Sequence, residues 1–148
     1  MTRAQPLAEP GAWDAFVVGN ERGSYLQRPA WARVKAVNGW TSERIVAGGS
    51  APIGAQVLLR RPRPLPWAFA YAPRGPVATE WTPASLGAFT EAVRSAPLGR
   101  VSHLRIDPEV ERDGSLDPGG ALRRETGGGR GSRGLRSRGW LRIGRGTE

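Results

Sequence analysis

At 148 residues the chain has room for one domain with a true core, since a chain of this size buries about 68–70% of its unfolded surface. It has no cysteine and a single histidine, His103, which excludes a disulfide framework, a thiolate zinc site and a multi-histidine metal centre. The formal net charge of +9 invites a polyanionic partner, but residues 121–148 hold eight arginines against two glutamates, a net of +6, leaving only +3 for the first 120 residues.

Met1–Pro6 carries one charge and no apolar h-region, and no apolar run approaches the ~20 residues that cross a bilayer, so a cytoplasmic location is expected. Pro10-Gly11 opens an amphipathic helix with Trp13, Phe16 and Val17 at helical spacing, ending at Gly19-Asn20. Gly23-Ser24 breaks the chain before a short Tyr25-Leu26 segment. Pro29 suits the first position of a second helix, whose apolar face is expected to hold Trp31, Val34 and Val37, with Asn38-Gly39 as its stop. Three strands follow, Ser42–Ala47, Ile53–Leu59 and Trp67–Ala72, separated by Gly48-Gly49 and the Pro62–Pro66 cluster and expected to be antiparallel neighbours. A third helix has Thr82 as its cap, Pro83 in its first turn and Leu86, Phe89 and Val93 on one face. Val101–Ile106 alternates as a half-buried strand and stops at Asp107-Pro108. From about Gly127 the composition turns to arginine and glycine without apolar periodicity, and disorder is expected for most of that segment.

Five blocks carry a resemblance: Trp13–Phe16, Gly23–Gln27 with Trp31–Lys35 and Gly39-Trp40, Pro52–Leu59, Tyr71–Val77, and Leu104–Glu109. In this order and spacing they resemble the opening domain of Fem-type peptidoglycan bridge aminoacyltransferases. The resemblance implies an α+β fold: a GNAT-like (acyl-CoA N-acyltransferase-like) domain with a mixed, mainly antiparallel sheet flanked by helices, incomplete at its C-terminal end. Residues 1–120 would be a partial first domain and residues 121–148 an Arg/Gly-rich tail, with an exposed sheet edge where the domain stops. It further implies transfer of an amino acid from aminoacyl-tRNA, as co-substrate, to the stem peptide of a UDP- or lipid-linked muropeptide, with no metal and no other cofactor. Peripheral contact with the inner membrane face is compatible with this, while transfer by this chain alone is not expected.

Three residues are candidates for substrate binding. Lys35 is the sole lysine among 22 basic residues, and its family counterpart contacts the precursor's phosphates; as a plain helix-end lysine it would only complement the helix dipole. Asp107 stands at a strand end, where the matching family acid holds a substrate amine; a turn aspartate before Pro108 is the competing reading. Arg74, between Pro73 and Gly75, is either a substrate contact or an exposed turn residue. Tyr71 and Trp13, Trp31, Trp40 and Trp67 read as packing, and His103 as an ordinary strand residue. The alternative to an enzyme is a non-catalytic muropeptide- or RNA-binding module using the Arg/Gly tail, and that tail also reads as the product of a frame change in GC-rich DNA.

Overall fold

The computed structural model describes residues 6–108 and 139–142. Two helices, α1 (Pro10–Gly19) and α2 (Pro29–Ala36), precede strands β1 (Thr41–Ala47), β2 (Ile53–Arg60), β3 (Ala68–Ala72) and β4 (Val77–Ala78). Helix α3 (Pro83–Ser95), β5 (Val101–Ile106) and β6 (Gly139–Arg142) complete the order, and single 3-10 turns lie at Pro6–Ala8 and Tyr25–Gln27. Prolines at the first turn of all three helices cost no hydrogen bond, because the N–H they lack would be unpaired there. Thr82 caps α3 as expected, inside a reciprocal box in which the Thr82 and Ser85 side chains each accept the other's backbone N–H.

One sheet runs β1-β2-β3-β5-β6, with β4 also paired to β2. The β1–β2–β3 run is antiparallel as expected, whereas β5 returns parallel to β3 after the α3 crossover. Strand β2 is buried on both faces. Its Ile53, Ala55, Val57 and Leu59 join Ile45, Ala70, Leu104 and Ile106 in a core covered by Phe89 and Val93 of α3. Its alternate residues face the N-terminal elements: Trp13 with Val17 packs on Val46, and Gly54 lies beneath the indole.

Several expectations need correction. Val34 and Val37 do not line a buried face, because α2 ends at Ala36 and turns Trp31, half-buried, toward the sheet. Trp67 is exposed rather than packed. Strand β5 does not alternate cleanly: Ala68 pairs with Val101 but Ala70 with Leu104, so one extra residue bulges out and both Ser102 and His103 face solvent. The two-residue strand β4 was not anticipated. The tail is also not wholly irregular, since Gly139–Arg142 pairs antiparallel with β5 and covers the edge expected to be bare. The rest of the Arg/Gly segment, and Glu109 of the last matched block, lie outside the described residues.

Candidate functional site

Among the described residues, the N-terminal helical elements cover only the β1–β2 half of their face. The uncovered half is set by register, since paired residues point the same way. Arg60 pairs with Phe69, while Tyr71 pairs with Leu58 on one side and Arg105 on the other. The result is a shelf bearing Phe69, Tyr71 and Arg105.

At the shelf's α2 end, Lys35 is held between two indoles, its Nζ lying 5.1 Å from the Trp31 ring centroid and 5.9 Å from that of Trp40. Tyr25 meets Trp31 edge-on at 5.8 Å, and the Arg60 guanidinium lies 5.9 Å from the Trp40 centroid. Cation–π contact fixes the ammonium's position without using up its N–H donors on a carboxylate, so they remain available to an anion. The helix-end geometry expected for Lys35 is thus present, but the side chain is anchored by aromatic rings. Trp31 and Trp40 are half-buried cradles for cations as well as packing groups.

At the other end, the carboxylate of Asp107 has both oxygens engaged. Oδ1 accepts the Arg74 backbone N–H at 2.7 Å, and Oδ2 accepts the Tyr71 hydroxyl at 3.3 Å. Arg74 has φ 56°, a left-handed conformation that costs a non-glycine residue about 1–2 kcal/mol and that the short bond to Asp107 helps to hold. Asp107, Arg74 and Tyr71 therefore form one cluster, and Lys35 belongs to a separate one. Asp107 is a strand-end acid that shapes the β3–β4 turn, and any amine would have to share it with two donors already in place. Tyr71, expected in the core, is half-buried, with the Arg105 guanidinium 5.1 Å from its ring centroid.

Burial pushes the Tyr71 phenol above its ordinary value of 10.0; the Asp107 charge and hydrogen bond act in the same direction, while Arg105 and Arg74 pull the other way. A raised value means that folding favours the neutral phenol. Its contribution to stability is complete below the ordinary value and is lost as pH rises through the raised one. The thermal midpoint should therefore fall as pH rises from the ordinary value of 10.0 through the raised one, and Tyr71→Phe should flatten that fall. Identical profiles for the two proteins would show that the phenol is uncoupled from folding.

The β3–β4 turn is held from its other side by a residue given no role by sequence reasoning. Strand β3 ends at Ala72 and β4 resumes pairing with β2 at Val77, so residues 73–76 bulge away opposite Gln56. The fully buried Gln27 carboxamide fills the gap. Its Oε1 accepts the Gln56 N–H at 2.7 Å, and its Nε2 donates to the carbonyls of Gln56 (3.2 Å) and Pro73 (2.7 Å). The side chain thus supplies the bonds a neighbouring strand's peptide would have made. Trp13 Nε1–H donates to the Gln27 carbonyl at 2.6 Å, and Gln56 Nε2 donates to that of Arg28. A glutamine closing a short turn just before a proline-started helix is too weak a signal to have exposed this. His103 is solvent-exposed, with its Nδ1 2.9 Å from Ser102 Oγ.

No family model matches the chain. The lipid II:glycine glycyltransferase of Staphylococcus aureus strain MRSA252 is 34% identical over 107 residues, 70% of this chain. Its Staphylococcus saprophyticus counterpart is 35% identical over 109 residues, 72% of the chain. The crystal structure of FemX superposes with a TM-score of 0.58 at 29% identity over 71% of the chain. This stretch of the chain belongs to the Fem family. It spans about a quarter of the length of these relatives: 25% and 26% of the two glycyltransferases and 27% of FemX. The Fem match agrees with the mixed, mainly antiparallel sheet described above.

Proposed function

We propose that the shelf of this Fem-type domain holds a peptidoglycan precursor for aminoacyl transfer to its stem peptide. Aminoacyl-tRNA is the co-substrate, no metal or organic cofactor takes part, and the reaction belongs to the cytoplasmic side. The supporting observation is that the relatives matching this stretch are named for adding glycine to lipid II. In this reading the Lys35 ammonium meets the precursor's phosphates, a role suited to a compact cation preset by two indoles. Asp107 and the Arg74 turn border the position of the acceptor amine. The helix–helix–meander–helix–strand order and the parallel β3–β5 pair are compatible with a GNAT-like half.

Binding is the appropriate readout, because the matched stretch covers only a quarter of the relatives. In a calorimetric titration with a UDP-linked muropeptide, Lys35→Ala should weaken affinity about tenfold to a hundredfold, the size expected for one lost charge-assisted contact. An unchanged dissociation constant would remove Lys35 from the site. Failure of the unaltered chain to bind any muropeptide would remove the proposal itself.

A further inference from the structure

We propose that the end of the sheet formed by the α2–β1, β2–β3 and α3–β5 connections is a membrane-docking surface for the headgroup region of an anionic phospholipid bilayer. The three connections form one surface. Ala68 N–H donates to the Arg100 carbonyl at 2.8 Å, the Arg61 guanidinium donates to the Leu98 and Arg100 carbonyls, and the Arg60–Trp40 contact ties in the α2–β1 turn. It carries five cations, Lys35, Arg60, Arg61, Arg63 and Arg100, and residues 35–41, 60–68 and 96–101 contain no aspartate or glutamate. A like-charge group of this kind is stabilised by an extended anionic surface, each cation near such a surface adding to the attraction.

Apolar side chains project among those charges. Val37 is 86% exposed, Leu65 40%, Trp67 43% and Phe69 55%, four of the seven large hydrophobic residues that the described part of the fold leaves exposed. Tryptophan flanked by arginine and aliphatic tips is the composition of an interfacial anchor, with the indole at headgroup depth and the guanidiniums on the phosphates. The backbone of the β2–β3 connection suits that zone as well. Pro62, Pro64 and Pro66 have no N–H, and the Leu65 N–H is already bonded to the Pro62 carbonyl at 2.9 Å, so few bare donors would be carried away from water. Val37 stands on one connection, Leu65 and Trp67 on another and Phe69 at the start of β3, each beside cations, a spread that favours a bilayer over a peptide or a protein helix. The surface shares Lys35, Arg60 and Phe69 with the shelf, whereas Leu65 and Trp67, which the test changes, have no part in the precursor reading.

The test uses the full chain with vesicles of phosphatidylglycerol and phosphatidylcholine in equal parts, against vesicles of phosphatidylcholine alone. Binding by co-sedimentation should require the anionic lipid and weaken with added salt. Brominated lipid should quench tryptophan fluorescence in the bound state. The paired substitution Leu65→Ser with Trp67→Ser changes two exposed residues and should leave the far-ultraviolet circular dichroism unaltered. It should reduce partitioning about tenfold and remove most of the quenching. Partitioning unchanged in the pair, with the arginines of residues 121–148 sufficient for binding, would overturn the proposal. So would sedimentation with the anionic vesicles without bromine quenching in the unaltered chain.

Discussion

Gln27→Ala should destabilise the domain by about 3–5 kcal/mol, read as a shift in the denaturant midpoint followed by tryptophan fluorescence. The cause is unpaired backbone more than lost volume. Truncation leaves the Gln56 N–H, the Gln56 carbonyl and the Pro73 carbonyl buried without their partner, and each such group costs about 1–3 kcal/mol. Gln27→Met separates the two effects. It keeps most of the shape but makes none of the bonds, so it should lie close to alanine if pairing dominates and close to the unaltered chain if packing does. Gly75→Ala probes the same contact from the other side, because an added Cβ would come within 3.0 Å of the Gln27 carboxamide. Hydrogen exchange at the Gln56 amide should accelerate in every variant that breaks the contact. Protection equal to that of the unaltered chain would mean that β2 holds its register without the clamp.

Trp13→Ala should cost a similar amount, about 3–5 kcal/mol, by a different route. The indole is fully buried, lies 5.6 Å from the Phe16 ring at a tilt of 43°, and fills the space between α1 and β1–β2 with Val17 and Val46. Gly54 makes room for it: a Cβ there would approach the indole to 3.0 Å and the Ile45 carbonyl to 2.7 Å. Trp13→Phe restores much of the volume but not the donor, so its smaller loss, about 1–2 kcal/mol, isolates the bond to the Gln27 carbonyl. Because Trp13 and Gln27 touch, their effects should not add, and a double-mutant cycle measures the coupling. Strict additivity would show that the buried indole N–H contributes nothing to holding the clamp. A domain of this size is stable by about 5–15 kcal/mol, so either alanine variant removes a large share of the total.

The elements governed by local chemistry were legible in the sequence. Pro29, Pro83 and the Thr82 cap act within one helical turn, and the β1–β2 hairpin follows from Gly48-Gly49 between two apolar runs, both glycines adopting positive φ. What escaped was decided by distant partners. Nothing near Gln27 announces that a bulge 46 residues later will need its amide. The placement of β6 against β5 likewise depends on pairing rather than propensity, because Gly139–Arg142 has no periodicity of its own. Val34 and Val37 follow helical spacing, yet both stay exposed because α2 stops at Ala36 and turns Trp31 toward the sheet. Of the candidate site, Lys35, Arg74 and Asp107 were singled out by resemblance. That Asp107 binds the Arg74 backbone, and that Lys35 sits between indoles, required the fold.

The strand register also works as a ruler. Arg60 and Phe69 form one cross-strand row, with Trp40 and Lys35 in ring contact beside it; Tyr71 and Arg105 form the next, and Asp107 follows one step further along β5's direction. Same-face neighbours along a strand are separated by roughly 6.6–6.8 Å, so the backbone of the Arg60–Phe69 row and that of Asp107 are about 13 Å apart along the strands. A ligand that places an anion at one and an amine at the other must bridge that gap in an extended form. A free phosphate or a lone amino acid is too short to touch both marks, whereas a sugar bearing a short peptide has the reach. Shifting β3 by two residues against β2 would keep the same side chains on the shelf yet change the measured length, so the bulge that Gln27 fills also sets the scale.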